Sequence, residues 1–133
     1  MQGANRSTGA ERSCRIMICD DQPAFREVLR AVLELEDGLE VVGEAANGAE
    51  AIEGVRHLQP DVLLLDVAMP VMDGIEALPE VVQAAPDTVV VVLTGVTSAQ
   101  VRQRALDAGA SVVLEKGTDL DAMTRCVREV CEG

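Results

Sequence analysis

The chain has 133 residues, a formal net charge of -12, an apolar fraction of 48% and a single aromatic residue, Phe25. That length supports one domain with its own core, burying about two-thirds of the unfolded surface. The acidity argues against direct contact with DNA or an anionic membrane, the lack of aromatics argues against base stacking, and no apolar stretch approaches the roughly 18 residues of a membrane span.

Residues 1–12, rich in Gly, Ala, Ser and Asn, read as a disordered leader or an expression-vector remnant, so that residues 1–13 precede a domain over 14–133. Arg15–Cys19 is a short apolar run ended by Asp20-Asp21, a first strand, β1. Pro23 suits the first turn of a helix, where its missing N–H costs nothing. Phe25, Val28, Leu29, Val32 and Leu33 then mark one apolar face of helix α1, which stops near Asp37-Gly38. Leu39–Ala45 is β2. Asn47-Gly48 is a turn, and Ala49, Ile52 and Val55 stripe helix α2, which ends before Pro60. His57, the lone histidine, reads as a solvated helix-end residue rather than a base.

Val62–Leu65 is a continuous apolar run, as in a strand buried on both faces of a parallel sheet, β3. It runs directly into Asp66. Gly74 to about Val82 is α3, with Ile75, Leu78, Val81 and Val82 inward; Pro79, worth about 3 kcal/mol against a helix interior, predicts a late start or a distortion. Thr88–Leu93 is β4, ended by Thr94-Gly95. Ser98 caps α4, whose Val101, Ala105 and Leu106 face inward and whose Gly109 closes it. Ser111–Glu115 is β5, followed by Lys116-Gly117. Asp119 opens α5, with Leu120, Met123, Val127 and Val130 inward.

Five βα units in succession predict a doubly wound parallel α/β sheet with helices on both faces. The flavodoxin-like strand order 2-1-3-4-5 fits, with its switch point between β1 and β3. In that order Asp20, Asp21, Asp66, Thr94 and Lys116 all fall at the carboxyl edge, where such sheets bind ligands. Three carboxyl groups crowded there repel unless a cation sits among them, and a hard divalent ion, most simply Mg²⁺, answers this. Lys116 is the only lysine beside ten arginines. A carboxylate flanked by Mg²⁺, an ammonium and a hydroxyl is suited to accept a phosphoryl group. Each signal taken singly is commonplace: an acid after a strand is usually a cap, a terminal Thr usually bland, a Lys before Gly usually solvated. Their joint placement makes the case.

The four cysteines, at 14, 19, 126 and 131, form no C-x-x-C and allow three pairings. An adequate core without a secretory signal predicts a reduced, cytoplasmic chain with Cys19 and Cys126 as small core residues.

The segments Asp20-Asp21, Leu64-Leu65-Asp66-Val67-Ala68-Met69-Pro70 with Asp73-Gly74, Leu93-Thr94-Gly95 and Glu115-Lys116-Gly117 together resemble the receiver domain of two-component response regulators, over about residues 14–131. The Thr94, Ala108-Gly109-Ala110 and Lys116-Gly117 phrases look most like the NarL/LuxR subfamily. The resemblance implies a CheY-like (βα)5 fold. It also implies phosphoryl acceptance on Asp66 from a sensor histidine kinase, Mg²⁺ held by Asp21, Asp66 and the backbone carbonyl of Ala68 with Asp20 acting through water, phosphoryl contact by Lys116, and inward movement of Thr94. Such a domain is a phosphoacceptor assisting its own reaction, not an enzyme for other substrates. Its relatives usually carry a C-terminal DNA-binding domain, which this chain lacks, and dimerise through α1–α5 or α4–β5–α5.

Two departures stand out. Val113 occupies a place where receivers often have a rotating aromatic, so any switch is expected to run through Thr94 and the β4–α4 loop. Gly117 replaces the commoner proline. The competing expectations are a phosphorylation-independent receiver acting as an interaction module, for which Val113 speaks, and an aspartyl-phosphate phosphatase. The latter needs a second Asp two residues after the nucleophile, where Ala68 stands.

Overall fold

The computed structural model describes residues 13–67, 73–95 and 98–132. Within them lie β1 (Cys14–Cys19), α1 (Pro23–Glu34), β2 (Leu39–Ala45), α2 (Gly48–Leu58), β3 (Val62–Asp66), α3 (Gly74–Ala84), β4 (Val89–Thr94), α4 (Ala99–Ala108), β5 (Val112–Glu115) and α5 (Leu120–Glu132). All strand pairs are parallel, in the order β2-β1-β3-β4-β5. The fold is therefore the flavodoxin-like, CheY-like one expected. The leader read over 1–12 lies outside the described residues.

The strands alternate their side chains between two cores. Leu63 and Leu65 face a cluster with Ile52, Val55, Leu78, Val81 and Val92. Leu64 and Val62 face one with Leu29, Leu33, Val91, Met123 and Val127. A strand buried on both sides explains why β3 reads as unbroken apolar residues. Truncating Leu64, fully buried, is of the kind that costs about 2–5 kcal/mol.

Local chemistry sets the helix ends. Asn47 accepts from the Glu50 N–H at 2.9 Å, Ser98 from Val101 at 3.1 Å, and Asp119 from Ala122 at 2.9 Å. Asp73 and Glu76 form a reciprocal capping box at 2.8 and 3.1 Å. That box starts α3 at Gly74, and the helix continues through Pro79. A late start is thus not seen: two satisfied N-terminal donors and the burial of Ala77, Leu78 and Val81 outweigh the proline. Three other face assignments need correction. Val28, Val82 and Leu106 are exposed, and Ala77, which the apolar stripe overlooked, is buried. His57 is exposed and lies 3.3 Å from Glu53, as expected of a solvated helix end.

Cys14 and Cys131 form a disulfide, with Cα atoms 5.9 Å apart. This corrects the expectation of a fully reduced chain. The start of β1 and the end of α5 meet at the amino-terminal edge of the sheet, although 117 residues separate them. Beside the bond lies a cleft of about 950 Å³ lined by Asp37, Asp61, Asp87 and Arg128. None of the carboxylates at the opposite edge lines it. Cys19 and Cys126 are outside the disulfide, the first buried and the second only partly so.

Burial, with the charges of Asp20 and Asp66 nearby, pushes the Cys19 thiol up to about 12. Burial, with Glu129, raises Cys126 as well. Since the thiolate is the nucleophile, Cys19 resists alkylation in the native chain. At about pH 8, iodoacetamide is expected to leave Cys19 intact and to modify Cys126 slowly. Mass-mapped modification of Cys19 at the rate of a free cysteine contradicts this. The linked stability has a definite sign. The raised thiol contributes fully below its ordinary 9.0, and the contribution is lost as pH rises toward about 12.

Candidate functional site

Four of the five strands, β1, β3, β4 and β5, deliver chemical groups to the carboxyl edge. β1 ends at Cys19, and the Asp20 N–H continues its pairing by donating to Ala45 O at 3.0 Å. The next turn folds back on itself: the Gln22 N–H donates to Asp20 Oδ1 at 2.8 Å, and Arg26 of α1 donates to the Asp20 carbonyl at 2.5 Å. Asp20 is held 1% exposed, whereas Asp21 stays exposed. Asp66 closes β3, opposite Leu93 in register, and is equally buried. After it, Val67 N–H donates to Leu93 O and Gly74 N–H donates to Val67 O, both at 3.0 Å. A side chain at Gly74 would collide with the Asp66 carbonyl, which accounts for the glycine there.

Thr94 ends β4 buried, and its carbonyl accepts from the Lys116 N–H at 2.8 Å. That bond anchors the backbone of Lys116 at the end of β5. Its Nζ lies 2.7 Å from Asp20 Oδ2 and donates to Asp66 Oδ2 at 3.2 Å. The Asp20 contact is an ion pair, and buried Asp20 Oδ2 accepts no hydrogen bond among the described residues, so that oxygen retains unused acceptor capacity. Burial alone would lower the Lys116 pKa. The close contact with Asp20 and the charges of Asp66 and Asp20 outweigh it, and the ammonium holds its proton above the ordinary lysine range.

Asp20, Asp21 and Asp66 each offer a carboxylate oxygen within 4.8 Å of the others. Three hard oxygen donors, one with spare acceptor capacity, fit a divalent cation of the Mg²⁺ class. The four charged residues read from the sequence are therefore brought together. Thr94 stands on the adjoining strand end. Ala68, whose carbonyl was read as a ligand, lies outside the described residues, as does Val96.

Sequence reasoning missed two features. One is the direct approach of Lys116 to Asp20, nearer than to Asp66. The other is Phe25, whose ring centroid lies 4.7 Å from Lys116 Nζ. The only available signal for the second was composition: one lysine and one aromatic leave a single pair to consider.

Fold and site together define a doubly wound CheY-like domain with an acidic pocket and one lysine at the switch point. The chain belongs to the response regulator receiver domain family, whose sequence profile matches residues 16–128. It is 39% identical over 111 residues to the uncharacterized transcriptional regulatory protein YhcZ of Bacillus subtilis, covering 84% of this chain and 52% of that one. A two-component response regulator of the LuxR family from Aurantimonas superposes with a TM-score of 0.86 at 30% identity, covering 91% of this chain and 86% of that one. The receiver domain of the putative response regulator NarL from Mycobacterium tuberculosis gives 0.85 at 32% identity, covering 92% and 98%. The NarL/LuxR likeness thus extends from sequence phrases to structure. The chain spans about half the length of the curated relatives it matches. Among the described residues no helix is long and apolar enough to cross a membrane.

Proposed function

We propose that this domain is a phosphorylation-dependent switch whose acceptor is Asp66. The observation that carries the reading is the placement of Lys116 Nζ 3.2 Å from Asp66 and 2.7 Å from Asp20, within an acidic cluster. In the proposed reaction an Asp66 carboxylate oxygen forms a bond to phosphorus as the bond from phosphorus to the imidazole of a kinase phosphohistidine breaks. The imidazole takes up a proton. Lys116 faces the charge that develops on the phosphoryl oxygens, and the Thr94 hydroxyl donates to one of them. Asp20, Asp21, Asp66 and the Ala68 carbonyl are the residues that would hold Mg²⁺, which supplies charge neutralisation at those same oxygens.

The switch is read as a change at Thr94 and the β4–α4 segment. Val113, buried beside the α4 side of the sheet, has no aromatic ring to rotate. The receiver is taken as residues 14–133, cytoplasmic, acting with a sensor histidine kinase and forming a homodimer. It assists its own phosphorylation and dephosphorylation and turns over no other substrate. In the whole protein it governs a DNA-binding output, a reading supported by curated relatives that are transcriptional regulators.

Incubation with acetyl phosphate and Mg²⁺, followed by intact-mass measurement, tests this. One phosphoryl adduct is expected. No adduct favours the second reading, a phosphorylation-independent interaction module, to which Val113 lends its weight. Lifetime supplies a further expectation. Ala68, two residues after Asp66, and Val96, two residues after Thr94, are apolar and cannot orient an attacking water. The isolated domain is expected to hold its phosphoryl group for minutes or longer, and decay within seconds contradicts that.

A further inference from the structure

We propose that Phe25 is a positioning residue for phosphoryl acceptance, acting through Lys116; this rests on the phosphoacceptor reading of the site. Phe25 is the third residue of α1, placed by the turn that carries Asp20 and Asp21. Its ring packs partly buried against the core formed by Leu29, Leu33 and Met123. The Lys116 ammonium sits 4.7 Å from the ring centroid, within the range of a cation–π interaction.

The lysine needs such a support. It stands on a flexible stem with four rotatable carbons. Gly117 follows it, so the β5–α5 turn gains no stiffness from a proline. Its two carboxylate partners are the groups that a metal ion and an incoming phosphoryl group also engage. As those carboxylates turn to other partners, their hold on the ammonium weakens. The ring carries no net charge and takes no part in that exchange, so its attraction persists through the reaction. It restrains the ammonium from the α1 side while the carboxylates change partners. The only aromatic side chain thus lies against the only lysine, at the one place where that lysine has chemistry to do.

A single lysine also makes the test clean. Protein labelled with carbon-13 lysine gives one set of ε-methylene signals, all from Lys116. Ring current from Phe25 is expected to displace them upfield in the wild type and in Phe25→Tyr, and not in Phe25→Leu or Phe25→Met. Phosphorylation by acetyl phosphate with Mg²⁺ is expected to slow about fivefold in Phe25→Leu and Phe25→Met and to stay near wild type in Phe25→Tyr. The two aliphatic variants fill similar volume, so one that folds suffices, with circular dichroism as the check.

Wild-type ε-methylene signals at the position of a free lysine would overturn the proposal. So would an aliphatic variant phosphorylated at the wild-type rate, or a Phe25→Tyr variant slowed as much as Phe25→Leu. A wild type that shows the ring-current shift but accepts no phosphoryl group would overturn the phosphoacceptor reading, and the positioning role with it.

Discussion

Asp66→Asn is expected to abolish phosphoryl acceptance and, in the metal-free protein, to raise stability. The first effect follows from chemistry: an amide oxygen cannot form the acyl phosphate. The second follows from charge. Asp20, Asp21 and Asp66 bring oxygens within 4.8 Å of one another. At an effective dielectric of 20, a like-charged pair at that distance costs about 3.5 kcal/mol; this holds for buried Asp20, whereas exposed Asp21 is screened by solvent and adds less. The Lys116 contact at 3.2 Å returns about 5 kcal/mol on the same scale, before the cost of dehydrating a buried carboxylate. Repulsion and dehydration together therefore win, and substitution is expected to raise the metal-free Tm by about 3–6 °C. Adding Mg²⁺ should stabilise the wild type and stabilise the variant less. A variant melting below the wild type without metal would contradict this balance of charges.

Loss of the Cys14–Cys131 bond is expected to lower Tm by about 10–15 °C. In the chain-entropy account, closing a loop of 117 residues stabilises by about 4–5 kcal/mol. Cys14→Ser, Cys131→Ser and added dithiothreitol should converge on one lower value. Cys19 and Cys126 are poor replacements for either partner, the first because it is buried with its thiol pushed up to about 12. Alkylation under denaturing, non-reducing conditions should label two of the four cysteines, and all four after reduction. Four labels without a reductant, or a Tm indifferent to reduction, would count against the bond. The bond bears on compartment too, since a disulfide is uncommon in a reducing cytosol.

Topology and the charged site were legible because each rests on local signals that repeat. β1, β3, β4 and β5 are each a short apolar run stopped by a polar residue, and those stops are Asp20, Asp66, Thr94 and Lys116. Once the strands align in parallel, those stops share an edge. What stayed hidden depended on distance or on angle. Cys14 and Cys131 are brought together only by the completed sheet and α5. Val28, Val82 and Leu106 fall on apolar stripes, yet each stripe is wider than the surface its helix buries, so its margin meets solvent. Pro79 reads as forcing a late start or a distortion because propensity is additive along a segment, whereas the Asp73–Glu76 box and the packing of Leu78 act from outside that sum. Phe25 could be assigned to a helix face, but not to the lysine at the far end of the chain.

Borohydride reduction of the phosphorylated chain, followed by peptide sequencing, tests the central claim most directly, because it converts an aspartyl phosphate to homoserine at the residue that carried it. After treatment with acetyl phosphate and Mg²⁺, homoserine is expected at position 66, and at no position when Mg²⁺ is withheld. Homoserine at position 20 or 21, or an unmodified Asp66 in protein that has taken up phosphate, would contradict the account.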